Sequence, residues 1–69
     1  MIEFELHEHE FIPLNNLLKL LGLVRSGGEA NQAIDAGEVI VNNTVEKQKR
    51  KKLRAEDKIV FEKTTIIIK

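Results

Sequence analysis

Ile2-Glu3-Phe4-Glu5-Leu6 alternates apolar and charged residues with a period of two, which lets one face of a strand bury Ile2, Phe4 and Leu6 while the glutamates meet water. His7-Glu8-His9-Glu10 breaks that pattern. From Pro13 the period lengthens: Leu14, Leu17, Leu18 and Leu21 fall at i, i+3, i+4 and i+7, the apolar stripe of an amphipathic helix. Pro13 suits the first turn, where its missing N–H costs nothing, and Gly22 suits the end. A second helix starts at Ser26, whose hydroxyl can cap it while Glu29 reaches back to complete a capping box. Ala30, Ala33 and Ile34 form its buried stripe, and Gly37 stops it. Only Leu23-Val24-Arg25 joins the two, so they form a helix-turn-helix-like pair.

After Gly37 the period returns to two. Val39 and Val41 alternate with Ile40 and Asn42, and Asn42-Asn43 makes a turn, since Asn tolerates positive φ. Val45 begins the return strand. Ala55-Glu56-Asp57 reads as a turn before a strand at Lys58 to Glu62, and Lys63-Thr64 leads to a last strand, Thr65 to Ile68. The order is β-α-α-β-β-β-β, a single α+β unit over residues 1–69. Ile66-Ile67-Ile68 is β-prone and uncharged, so it must pair with a neighbour or become an aggregation hazard, and as an exposed edge it offers a route to dimers. A monomer is the simpler expectation.

A chain of 69 residues has room for one small core and no second domain. It has no cysteine, which removes disulfides, thiolate metal sites and a cysteine nucleophile. No apolar run exceeds three residues, as in Ile66-Ile67-Ile68, so no membrane span is expected, and glutamates fill the region a secretory leader would need. The expected location is the cytoplasm.

Charge changes the picture more. The formal net charge is zero, yet residues 1–46 carry only Lys19 and Arg25 against eight carboxylates, and residues 47–69 carry nine cations against Glu56, Asp57 and Glu62. Six of the eight residues from Lys47 to Arg54 are basic: Lys47, Lys49, Arg50, Lys51, Lys52 and Arg54, with Leu53 the single apolar anchor. Such a run is the electrostatic footprint of a polyanion, which binds by direct charge and counterion release. Arg50 and Arg54 suit bidentate phosphate contacts. On the helical pair the candidates are Lys19 and Arg25, with Asn31 and Gln32 on the polar side of the second helix. Gly27 and Gly28 present backbone N–H groups at that helix's start. Asn42 and Asn43 could reach sugar or phosphate from their turn.

Other chemistries find less support. His7 and His9 share one side of a strand at i, i+2, but a metal site needs further ligands of the right geometry, so neither a metal nor a cofactor is expected. Ser26 is the only serine and is committed to capping, so no catalytic group is expected. Tyrosine and tryptophan are absent, and Phe4, Phe11 and Phe61 are expected in the core, which disfavours recognition of single strands by stacking.

Leu14-Asn15-Asn16-Leu17-Leu18-Lys19-Leu20-Leu21-Gly22, Ser26-Gly27-Gly28-Glu29-Ala30, Ile34, Gly37-Glu38-Val39-Ile40-Val41-Asn42 and Leu53 to Ile59, in that order and spacing, resemble the RNA-binding domain named after ribosomal small-subunit protein four. The Ser-Gly-Gly-Glu-Ala helix start, the basic run and the length are similar to the small stand-alone bacterial members. The resemblance implies two short helices packed on a small bent, mostly antiparallel sheet, with RNA held by the helical pair and the adjoining strand-turn surface. Larger members commonly carry Arg where Pro13, Gly27 and Asn31 stand here, and Gly where Asn43 and Glu56 stand. The positive charge has moved to residues 47–54. The expected function is therefore non-catalytic binding of structured RNA, ribosomal or transfer RNA, near ribosome-assembly proteins and away from membranes. The alternative is an adaptor that docks its basic edge on an acidic protein.

Overall fold

The computed structural model describes residues 1–69. Nine elements follow along the chain: β1 (Ile2–Phe4), β2 (Ile12–Pro13), α1 (Leu14–Leu20), α2 (Gly27–Asp35), β3 (Val39–Val41), β4 (Thr44–Val45), β5 (Lys52–Leu53), β6 (Lys58–Phe61) and β7 (Thr64–Ile68). Five strands form one sheet in the order β1-β7-β6-β3-β4, and β2 and β5 form a separate antiparallel pair. Every pairing in the larger sheet is antiparallel except β1 with β7, where Ile2 lies opposite Ile66 and Phe4 opposite Ile68. The α+β class and the expected element order hold, with the β2–β5 pair added.

Alternation along the strands divides the sheet into two faces. Val39, Val41, Ile59, Phe61, Ile66 and Ile68 turn inward and meet Leu14, Leu17 and Leu18 of α1 and Ala30 and Ile34 of α2. Ile40, Val60, Ile67 and Val45 stand on the outer face, partly exposed. There Ile40 lies opposite Val60 on one side and Val45 on the other, so cross-strand contact still shields part of their surface. The triple isoleucine is satisfied differently from the edge expected of it. β7 lies between β1 and β6, so its backbone is paired on both sides and the edges of the sheet are β1 and β4.

Both helices end in the same way. At α1, Leu23 N–H donates to the Leu18 carbonyl and Gly22 N–H to that of Lys19; at α2, Glu38 donates to Ala33 and Gly37 to Ile34. This six-to-one and five-to-two arrangement needs positive φ at the glycine, and Gly22 and Gly37 adopt +73° and +77°. The starts of the two helices differ. Ser26 Oγ accepts the Glu29 N–H at 3.2 Å, while the Glu29 carboxylate accepts from the Arg25 N–H, one residue earlier than a capping box requires.

Several expectations need correction. The first strand stops at Phe4; Leu6 still reaches the sheet, its N–H donating to the Lys69 carbonyl. His7 and Glu8 enter a turn with φ of 50° and 75°, so His7 and His9 do not share a strand face. Pro13 is the N-cap of α1 in extended conformation and pairs with Lys52, instead of lying inside the first turn. Phe61 is in the core, but Phe4 and Phe11 are only half-buried. Leu53, by contrast, is fully buried, as its isolation in the basic run predicts.

Candidate nucleic-acid interface

An α-helix leaves its first N–H groups without partners in the helix, and they are usually met by a polar N-cap side chain. Pro13 has no such side chain, and the first turn of α1 has no acidic residue. The basic segment supplies the partners. The Lys51 carbonyl accepts the Leu14 N–H at 2.9 Å, and the Lys49 carbonyl accepts the Asn15 N–H at 3.0 Å. The Lys51 N–H turns back on the Gln48 carbonyl, and β5 then pairs with β2, Ile12 opposite Leu53. The backbone of residues 49–53 is thus fixed against the start of α1, with Leu53 turned into the core and Lys49, Arg50 and Lys52 left outward.

Polar groups gather around that attachment. Pro13, Asn15, Asn16 and Arg50 line one shallow groove. Asn15 Nδ2 donates to Asn31 Oδ1 at 3.1 Å, which ties α1 to α2 on the same side. Lys19 lies one helical turn along from Asn15, and Gly27 and Gly28 lie one turn back from Asn31. A Cβ on Gly27 would meet nothing within 4 Å, and one on Gly28 would meet only Ser26 Oγ at 3.8 Å, so close helix packing is not what these glycines serve.

The cations of the segment are free. The ion pairs of the chain are His7 with Glu5 and Lys69 with Glu3, neither of which involves residues 47–54. Lys47, Lys49, Arg50, Lys52 and Arg54 are exposed and Lys51 is half-buried. Two of them rest on an aromatic ring: Lys52 Nζ lies 5.0 Å and Arg54 Cζ 5.9 Å from the Phe11 centroid. The contact orients both side chains while leaving their hydrogen-bonding groups for another partner. At the far end of the segment, the Asp57 carboxylate accepts from the Arg54 N–H at 2.8 Å and from Asn42 Nδ2 at 3.0 Å.

Not every sequence candidate joins this surface. Asn42 is consumed by structure: its amide donates to Asp57 and its carbonyl oxygen accepts the Lys58 N–H at 2.9 Å. Asn43 sits beside it at φ of 71°, the second residue of the β3–β4 turn. Gln32 lines a different groove, whose charged members are Glu29, Glu38 and Glu62. Arg25 is exposed, and its backbone N–H donates to the Glu29 carboxylate. Conversely, Asn15, Asn16 and Phe11 lie beside the basic segment, and the sequence pattern alone does not single them out as site residues. A signal for the asparagines existed: Asn is a poor residue inside a helix unless its side chain has work to do. No group of three or more histidine, cysteine or carboxylate side chains gathers to hold a metal ion, and no helix is long and apolar enough to cross a membrane.

Fold and surface together define a small α+β domain in which a basic segment is pinned by its backbone to the start of a short helical pair. The family model of the S4 domain matches residues 4–69, and the chain belongs to that family. It is 41% identical over 61 residues to "Putative RNA-binding protein YbcJ" of Escherichia coli (strain K12), covering 88% of this chain and 87% of the relative. The same identity and coverage relate it to the uncharacterized protein YbcJ of Shigella flexneri. The solution structure of YbcJ from E. coli superposes with a TM-score of 0.74 at 37% identity, covering 99% of this chain and 86% of that one. That structure is described as revealing a motif, named alfaL, involved in RNA-binding.

Proposed function

We propose that this chain is a non-catalytic module that binds structured RNA, of the ribosomal or transfer class, through its phosphate backbone. The observation that carries the reading is the pair of hydrogen bonds from Leu14 and Asn15 to the Lys51 and Lys49 carbonyls. They convert a run of cations into a rigid extension of the helical pair. Lys47, Lys49, Arg50, Lys51, Lys52 and Arg54 then contact successive phosphates, with Arg50 and Arg54 in fork geometry. Asn15, Asn16, Asn31, Lys19 and the Gly27-Gly28 N–H groups orient the duplex beside them, and Arg25 extends the positive rim. The name "Putative RNA-binding protein YbcJ" and the RNA-binding motif ascribed to the YbcJ solution structure support the same assignment. The acidic N-terminal half repels phosphate from the remaining surface and restricts the RNA to one face.

The test is crosslinking and sequencing of RNA in the native cell, beside a variant with Lys49, Arg50, Lys51 and Lys52 changed to Gln. A defined structured RNA that is recovered with the parent and lost with the variant is the expected result. Recovery of an acidic protein and no RNA would replace the reading with that of an adaptor.

A further inference from the structure

A third groove adjoins the basic segment and is built from different chemistry. Phe4, Leu6, Phe11, Ile12 and Leu20 line it with His9 as its polar member. Leu20 stands at its rim with 67% of its surface exposed, which is unusual for a leucine on a helix whose apolar stripe is otherwise turned inward. Its volume of about 230 Å³ falls below that of pockets that take drug-sized ligands, roughly 300–1,000 Å³. A helix or a large ligand does not fit such a space, whereas one flat ring system does.

Charge identifies the ring. Phe11 is shared: its ring lines the groove and also carries Lys52 and Arg54. Ile12 of the groove is paired with Leu53, between those two cations in sequence. An apolar slot bordered on one side by cations matches a nucleotide, which joins a flat base to an anionic phosphate. Glu5, Glu8 and Glu10 flank the groove's Leu6 and His9 in sequence and do not line it. They exclude phosphate from that end, so a bound strand has its phosphates over Lys52 and Arg54. We infer that the groove takes one unpaired nucleobase of the bound RNA, stacked against Phe11 and Leu20, with His9 at its polar edge. The inference rests on the RNA reading above and adds to it a preference for duplexes with an extruded base.

The experiment compares two RNA hairpins of equal length, one fully paired and one with a single bulged 2-aminopurine, titrated into the full chain at fixed salt. Stacking of a base is typically worth about five- to a hundredfold in affinity, so the bulged hairpin should bind about tenfold tighter and its fluorescence should change on binding. Leu20→Gln, at an exposed position that folding does not depend on, should erase that difference and leave the paired hairpin's affinity unchanged. Phe11→Leu, which keeps the position apolar but removes the ring, should do the same to the fluorescence change. Equal affinity of the parent for both hairpins, with both weakened by neutralising the basic segment, overturns the groove and leaves the RNA reading standing. A bulge preference that survives Leu20→Gln and Phe11→Leu also overturns the groove. Failure to bind either hairpin overturns both.

Discussion

Neutralising the middle of the basic segment should change the salt dependence of RNA binding by a computable amount. Each phosphate neutralised contributes about 0.7 to 0.9 to the slope of log K against log salt. With the six cations of residues 47–54 engaged, the parent slope is then roughly −4 to −5, a loss of about three decades in affinity between 50 and 200 mM salt. Changing Lys49, Arg50, Lys51 and Lys52 to Gln removes four contacts, so the slope should flatten by about 3 units. The fold should survive, because residues 49 and 51 hold α1 through backbone carbonyls that the substitutions leave in place. The measurement is filter binding or fluorescence anisotropy on a structured RNA across that salt range, with circular dichroism as the control for folding. A folded variant with the parent's slope would show that the phosphates are held elsewhere and refute the assignment.

Three further outcomes test the fold that positions the site. Asp57→Ala removes the acceptor for Arg54 N–H and Asn42 Nδ2, which should cost about 1–2 kcal/mol and lower Tm by roughly 5–15 °C in a thermal melt. Leu53→Ala leaves a cavity at a fully buried site; at about 2–5 kcal/mol this approaches the roughly 3–10 kcal/mol total of a domain this size, so urea titration should find a partly unfolded population at low denaturant. Glu56→Gly should act in the opposite direction, raising stability by about 1 kcal/mol, because Glu56 holds φ of 77° where a glycine bears no penalty.

The sequence was legible where the signal is local. The two helices, the Asn42-Asn43 turn, the glycine stops and the buried Leu53 each follow from a period, a φ preference or a lone apolar residue among charges. What escaped was tertiary. Nothing local in Pro13 announces that its helix is capped by carbonyls of residues 49 and 51. The β2–β5 pair is two residues on each side, too short to leave a periodicity. Hydrophobicity alone places Phe11 in the core, since sequence does not reveal that its ring supports Lys52 and Arg54. The candidate site suffered the same way. Asn42 has the right chemistry for phosphate, yet Asp57 and Lys58, distant in sequence, occupy its amide.

The basic segment divides its work between backbone and side chain, and that division has a thermodynamic consequence. Its carbonyls cap α1 and its strand β5 anchors the core, so the main chain and Leu53 serve the fold. The six cations around them meet no carboxylate within ion-pair distance, and they repel one another in the free protein. A charge arrangement kept at the expense of stability is what the proposed binding face requires, since a polyanion docked there would supply the missing counter-charge. Substituting Lys49, Arg50, Lys51 and Lys52 with Gln should therefore move two observables in opposite directions. RNA affinity should fall, while Tm at low ionic strength should equal or exceed the parent's, with the gap closing as salt screens the repulsion. A variant less stable than the parent at low salt would mean that these side chains hold the fold together, and that their charge is not kept for a partner.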